Sequence, residues 1–114
     1  MYQALSIEES PLGDGVVLEV AGEVDVATVN ALKEALERAD DGDVWIDLTG
    51  VDFMDSTGLT TLVLAHRRMD HPVRRLALIC PAGPVRRVLE IAGIDRVVPV
   101  HTSRDAARAV TFPR

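Results

Sequence analysis

At 114 residues the chain has the length of one compact domain, and with 47% apolar residues it can bury a single core without disulfide staples. Its 18 acidic residues outnumber the 12 lysines and arginines, a formal charge of −6 that argues against non-specific nucleic-acid binding. Cys80 is the only cysteine, which excludes an intramolecular disulfide and points to a reducing compartment; without a secretory signal or a run of the ~20 apolar residues a membrane span needs, a cytoplasmic protein with no membrane insertion is expected.

Residues 2–8 alternate loosely and read as an edge strand, residues 11–15 carry Pro, Gly and Asp turn chemistry, and residues 16–20 are a β-rich run; together they predict a hairpin. Gly22-Glu23-Val24-Asp25 breaks the strand, with Asp25 placed to cap a helix whose face is Val29, Leu32, Leu36 and Ala39. Asp40-Asp41-Gly42-Asp43 ends that helix. Residues 44–48 predict a buried strand, residues 50–52 a short loop, and Phe53-Met54 a return to the core.

From Leu59 a second helix continues through Leu62, Val63 and His66 to about Met69, stopped by His71-Pro72. Residues 76–80 form a nearly continuous apolar strand suited to the middle of a sheet. Pro84 opens a third helix with Val85, Val88, Leu89 and Ala92 inward and Gly93 as its stop. Residues 97–100 read as a strand that Pro99 assigns to an edge, and Thr102 with Asp105 resembles a capping box before a last helix over residues 103–110. The order ββαβαβαβα implies an α/β fold with parallel crossovers and a mixed central sheet. In such sheets the strand-to-helix loops share one end, so Asp25, Ser56 and the loop 81–84 are expected to be neighbours.

Several chemistries fail on inspection. Ser56 as a hydrolytic nucleophile needs a base within reach. His66 is ten residues along the same helix, about 15 Å away at 1.5 Å per residue, and His71 is farther. His101 follows a strand and could share the end of the sheet with Ser56, but no G-x-S-x-G elbow is present. Asp52 and Asp55 lack the His/Cys partners of a metal site, Asp40-Asp41-Gly42-Asp43 is too short for an EF-hand loop, and no phosphate-binding glycine loop occurs. No metal, cofactor or catalytic residue is therefore expected, and the chain reads as a non-enzyme. Trp45 and Cys80 read as core, and the pairs Arg67-Arg68, Arg74-Arg75 and Arg86-Arg87 as solvated faces. Two readings of Ser56 remain: a helix cap, or the acceptor of a phosphoryl group at a helix start where backbone N–H groups and the helix dipole would receive it. On that second reading Gly58 keeps the surface low for an approaching active site.

Asp55-Ser56-Thr57-Gly58-Leu59 resembles the segment that opens the second helix in bacterial anti-sigma factor antagonists, the STAS-domain proteins. Gly22-Glu23-Val24-Asp25 is similar to the turn before that family's first helix, residues 44–54 to its D-L-x-x-V-x-F-M stretch, and residues 85–93 to its third helix. The resemblance spans nearly the whole chain and implies a single STAS domain over residues 1–114, with helices mainly on one side of the sheet. It further implies partner switching. The unphosphorylated protein would bind an anti-sigma factor that is also a serine kinase, freeing a sigma factor; phosphorylation at Ser56 would abolish binding, and a serine phosphatase would reverse it. Asp25, Asp55, Thr57, Gly58 and Thr60 would form the partner-binding surface of a free monomer that does not contact nucleic acid directly. Thr60 stands where many members have Gly, a side chain that could narrow partner choice. The alternative is an unphosphorylated STAS binding module, either a signalling scaffold or a soluble transporter subunit; a fused transporter tail is not expected.

Overall fold

The computed structural model describes residues 5–39, 42–69 and 75–109. Five strands, β1 (Ser6–Leu12), β2 (Gly15–Val24), β3 (Val44–Met54), β4 (Leu76–Ile79) and β5 (Val100–His101), form one mixed sheet in sequential order. The helices are α1 (Val29–Arg38), α2 (Ser56–Arg68), α3 (Pro84–Ile91) and α4 (Arg104–Arg108). β1 pairs antiparallel with β2, and the remaining neighbours are parallel, as strand-helix alternation requires.

Alternation along the strands builds two faces. Leu18 and Val20, Val44, Ile46 and Leu48, and Leu76 and Leu78 point to one side, where they pack with Leu32 and Leu36 of α1, Leu62 and Ala65 of α2, and Val85 and Leu89 of α3. Val17, Trp45, Ala77 and Ile79 point to the other, covered by Leu12 and by Ala107 of α4. Helices thus lie mainly on one side, as expected.

Several boundaries differ from the sequence reading. The first strand is shifted to Ser6–Leu12, leaving only Gly13 and Asp14 to turn, with Gly13 at φ +60°. Residues 2–4, Asp40-Asp41 and His71-Pro72 lie outside the described residues. Gly22 does not break β2: at φ +111° it sits in a stretch with two register shifts against β3, a bulge that bends the strand while pairing continues to Val24. β3 likewise runs through the expected loop 50–52, because Ala21, Gly22 and Glu23 of β2 supply partners for Gly50, Val51 and Phe53. Gly50 permits this contact, since a Cβ there would meet the Ala21 Cβ at 3.0 Å. α2 begins at Ser56, three residues before the apolar periodicity.

Downstream, Cys80 lies just beyond β4, its N–H donating to His101 O at 2.8 Å. Pro84 takes the first turn of α3 and Gly93, at φ +75°, ends the segment as expected, but Val88 is only half-buried and Ala92 is exposed. Of the expected strand 97–100 only Val100 is in a strand, the two-residue edge strand β5; residues 97–99 form an irregular turn that follows a 3-10 turn over Ile94–Arg96, with Val98 drawn into the core and Val97 left out. Ser103, not Thr102, caps α4, accepting the Ala106 N–H at 3.1 Å.

Candidate functional site

β2 and β3 end side by side, Val24 opposite Met54, and each is followed immediately by an aspartate. The Asp55 N–H donates to Val24 O at 3.0 Å, so the turn carrying Asp25 and the start of α2 are neighbours. This brings Asp25 and Ser56 together as expected. The loop 81–84 is not brought there. β4 stops with Ile79 level with Asp47, whereas β3 runs seven residues farther to Met54, about 23 Å at ~3.3 Å per residue. That loop instead borders Thr49, Val51 and Asp52 around a cleft of about 180 Å³. His101 is paired with Ile79 and therefore sits at the same lower level, out of reach of Ser56 as a base. Burial also holds the His101 imidazole below its ordinary pKa.

Asp55 is the N-cap of α2. One carboxylate oxygen, Oδ1, accepts the Thr57 N–H at 2.9 Å, the Gly58 N–H at 3.2 Å and the Thr57 hydroxyl proton. The Thr57 hydroxyl, foremost, and the Gly58 and Thr57 amides hold the carboxyl below its ordinary range against the opposing effect of burial; the Val26 backbone acts in the same direction and least. Two first-turn amides are therefore already committed. A phosphate on Ser56 would meet the positive end of the helix, but not the open set of N–H donors expected from sequence.

Ser56 occupies the first helical position and is exposed. Thr57 is half-buried, and its carbonyl accepts the Thr61 hydroxyl at 2.8 Å. Gly58 is buried, which corrects its expected role as a low point on the docking surface. A Cβ there would lie 2.6 Å from Met54 Cγ and 2.8 Å from Val24 Cγ1, so its small size lets α2 seat on the ends of β2 and β3. Thr60 is exposed one turn beyond Ser56.

Asp25 is not the cap of α1. Its Oδ1 accepts the Ala27 and Thr28 N–H groups at 3.0 and 3.1 Å, closing a separate turn, and Thr28 holds the cap position. The Thr28 hydroxyl donates to Glu23 O at 2.7 Å and accepts the Asp25 N–H at 3.0 Å, fastening that turn to the end of β2. The extra turn leaves Val26 75% exposed beside the junction. Sequence reasoning missed Val26; its signal was an apolar residue lying outside the periodic face that begins at Val29.

Among the described residues no group of three or more His, Cys, Asp or Glu side chains could hold a metal ion, and a depression of about 650 Å³ lies along α3 around Arg87, Ile91 and Thr102. No helix of the described residues is long and apolar enough to cross a membrane. The junction itself offers an exposed serine on a capped helix start, two carboxylates and an exposed valine.

The STAS domain model matches residues 6–107. The chain is 37% identical over 90 residues to the anti-sigma-B factor antagonist of Listeria monocytogenes, covering 76% of this chain and 79% of that protein. It is 31% identical over 100 residues to the protein of the same name from Staphylococcus aureus, covering 85% and 93% respectively. Among solved structures, an anti-sigma factor antagonist from Mycobacterium paratuberculosis superposes with a TM-score of 0.85 at 26% identity, over 94% of each chain. The Bacillus cell fate determinant SpoIIAA in its phosphorylated form shares the fold, with a TM-score of 0.63 at 21% identity over 95% of this chain and 100% of that one.

Proposed function

The chain belongs to the STAS domain family, and from that premise we propose that it is an anti-sigma factor antagonist switched by phosphorylation of Ser56. Unphosphorylated, it binds an anti-sigma factor that is also a serine kinase and thereby releases a sigma factor; a phosphatase restores the binding form. The names of its relatives in Listeria and Staphylococcus support the antagonist reading, and the existence of SpoIIAA in a phosphorylated form supports the switch. The observation that carries the proposal is the state of Ser56: an exposed hydroxyl on the first turn of α2, flanked by Asp55 and the Asp25 turn, with the neighbouring polar groups engaged in holding the junction rigid.

The physical consequence follows from charge. A phosphate adds about −1.5 to −2 charges at neutral pH. On the free protein it sits at the positive end of a helix and in water, where it costs little. In a docked interface the same group is desolvated and pressed against Asp25, Asp55 and the partner; a loss of ~3 kcal/mol there is roughly 100-fold in affinity. Val26 and Thr60, both exposed at the junction, complete the surface that would be covered. Phosphorylation on this reading alters affinity rather than fold.

The test is affinity capture from a native lysate with wild-type protein and Ser56→Asp as parallel baits. An ATPase-fold kinase held by wild type and lost by the Asp bait is the expected result. Equal retention of one partner by both baits, or no kinase on either, overturns the switch and moves a phosphorylation-independent binding module to the front.

A further inference from the structure

The geometry points to Asp55 as the positioning residue that decides which of two adjacent hydroxyls, Ser56 or Thr57, receives the phosphoryl group. The inference rests on the reading above that a partner kinase modifies this junction. Ser and Thr are both competent acceptors, and one residue of separation along the chain does not by itself select between them. Their surroundings do. The Thr57 hydroxyl proton is held by Asp55 Oδ1, the oxygen that also holds the Thr57 and Gly58 amides. Thr57 is half-buried and anchored a second time by the Thr61 hydroxyl on its carbonyl. Ser56 is exposed, and its hydroxyl has no hydrogen-bond partner among the described residues.

Transfer makes demands that separate the two. The acceptor oxygen must turn a lone pair to the γ-phosphorus of a nucleoside triphosphate and surrender its proton to a base of the kinase. A new O–P bond forms, the bond from the γ-phosphorus to the bridging oxygen breaks, and the nucleoside diphosphate leaves. Ser56 meets these demands by rotating one unhindered torsion. Thr57 must first give up a charge-assisted hydrogen bond to its own helix cap and swing a β-branched side chain that is stiff about χ1. The same carboxylate that starts α2 therefore withholds the second hydroxyl and leaves the first as the acceptor.

The experiment uses the full chain, the kinase recovered on the wild-type bait and ATP, with phosphate located by fragmentation mass spectrometry. Wild type is expected to carry phosphate on Ser56, and Ser56→Ala to carry none on Thr57. In Asp55→Ala the share of phosphate on Thr57 is expected to rise about tenfold or more, the scale of losing one charge-assisted hydrogen bond, and in Asp55→Asn to rise by less, because the amide oxygen still accepts the Thr57 hydroxyl proton but without the charge. Asp55→Asn keeps a side-chain oxygen for the helix amides, so it preserves the fold if the Ala variant does not, and melting temperatures are recorded for both. A role confined to capping would lower the melting temperature and leave the distribution of phosphate unmoved. Folded Asp55 variants that still place phosphate on Ser56 alone overturn the inference while leaving the switch intact. Wild-type protein that takes phosphate on neither hydroxyl overturns the switch itself, and this inference with it. Without any kinase, hydrogen exchange by NMR in wild type should show the Thr57 hydroxyl proton protected and that of Ser56 in fast exchange; equal exchange of the two overturns the inference.

Discussion

The segment Asp47-Leu48-Thr49 and the segment Asp55-Ser56-Thr57 make the same local structure. In each, the aspartate Oδ1 accepts the N–H of the threonine two residues on at 2.9 Å and also its hydroxyl proton. What surrounds them differs. Asp47 lies in mid-strand on the outer face, and its Oδ2 takes Arg104 Nε at 3.1 Å; Arg104 also reaches Glu19 at 2.7 Å, so one guanidinium ties α4 to β2 and β3. Asp55 stands where β3 has ended, and in place of an arginine it meets the amides at the start of a helix. The first motif is consumed in holding the molecule together. The second leaves a serine exposed between its two anchoring residues. A short polar motif thus fixes a local geometry, while the element that follows it decides whether the motif is structural or available to a partner.

That comparison can be broken experimentally, beginning where the effect is largest. Asp47→Ala removes both hydrogen bonds to Thr49 and leaves Arg104 with Glu19 alone. Because the Asp47 side chain is only 10% exposed while that of Arg104 is 30% exposed, the full cost of orphaning a buried charge is reduced, and a loss of about 2–3 kcal/mol in urea unfolding is expected. Trp45, the sole tryptophan and part of the outer cluster that Ala107 covers, should report loosening of α4 by a fluorescence change at urea concentrations below the main transition. A loss under about 0.5 kcal/mol, as for an ordinary surface site, would show that the clamp contributes little.

Asp55→Ala should cost less, about 1 kcal/mol, the usual value of an N-cap. Its pH signature sharpens the contrast. The folded carboxyl titrates below its ordinary 3.8, so its contribution is fully present above that pH and is lost as the pH falls through the lower folded value. Wild type and variant should therefore differ at neutral pH and converge in acid; a gap that persisted well below pH 3.8 would contradict the cap's electrostatic origin. Smallest of all, Ser56→Ala should change unfolding free energy by no more than about 0.5 kcal/mol, because the hydroxyl is exposed and supports no bond in the fold. A larger loss would mean that Ser56, like its counterpart position Leu48, belongs to the structure after all.

Much of this was legible in the chain itself. Periodicity and capping signals identified the five strands and four α-helices by type and order, though not the 3-10 turn Ile94–Arg96, and the Asp-Ser-Thr-Gly segment marked the junction, because short-range hydrogen bonding by Asp and Thr and the apolar repeat of α2 are local properties. The errors were equally systematic. Gly22 and Gly50 read as breaks, yet each is a place where neighbouring strands approach closely or bulge, which depends on a partner strand more than twenty residues away. Asp25 read as a helix cap because it precedes an apolar face, but Thr28, three residues on, took that position once its hydroxyl could reach the Glu23 carbonyl. Gly58 read as a surface feature, when its neighbours in space are Val24 and Met54.

The sequence by itself determined the composition of a compact acidic domain, the alternation of strands and helices, and the chemistry gathered between Asp55 and Leu59, since each follows from residue type and spacing of a few positions. Only the tertiary structure decided which groups meet. Parallel pairing of β2 with β3 to their very ends set the Asp25 turn beside Ser56, while the early stop of β4 left His101 level with Asp47 and set the loop 81–84 beside Thr49, Val51 and Asp52. Register between strands is a long-range quantity, fixed by the core they jointly bury, and no local pattern carries it.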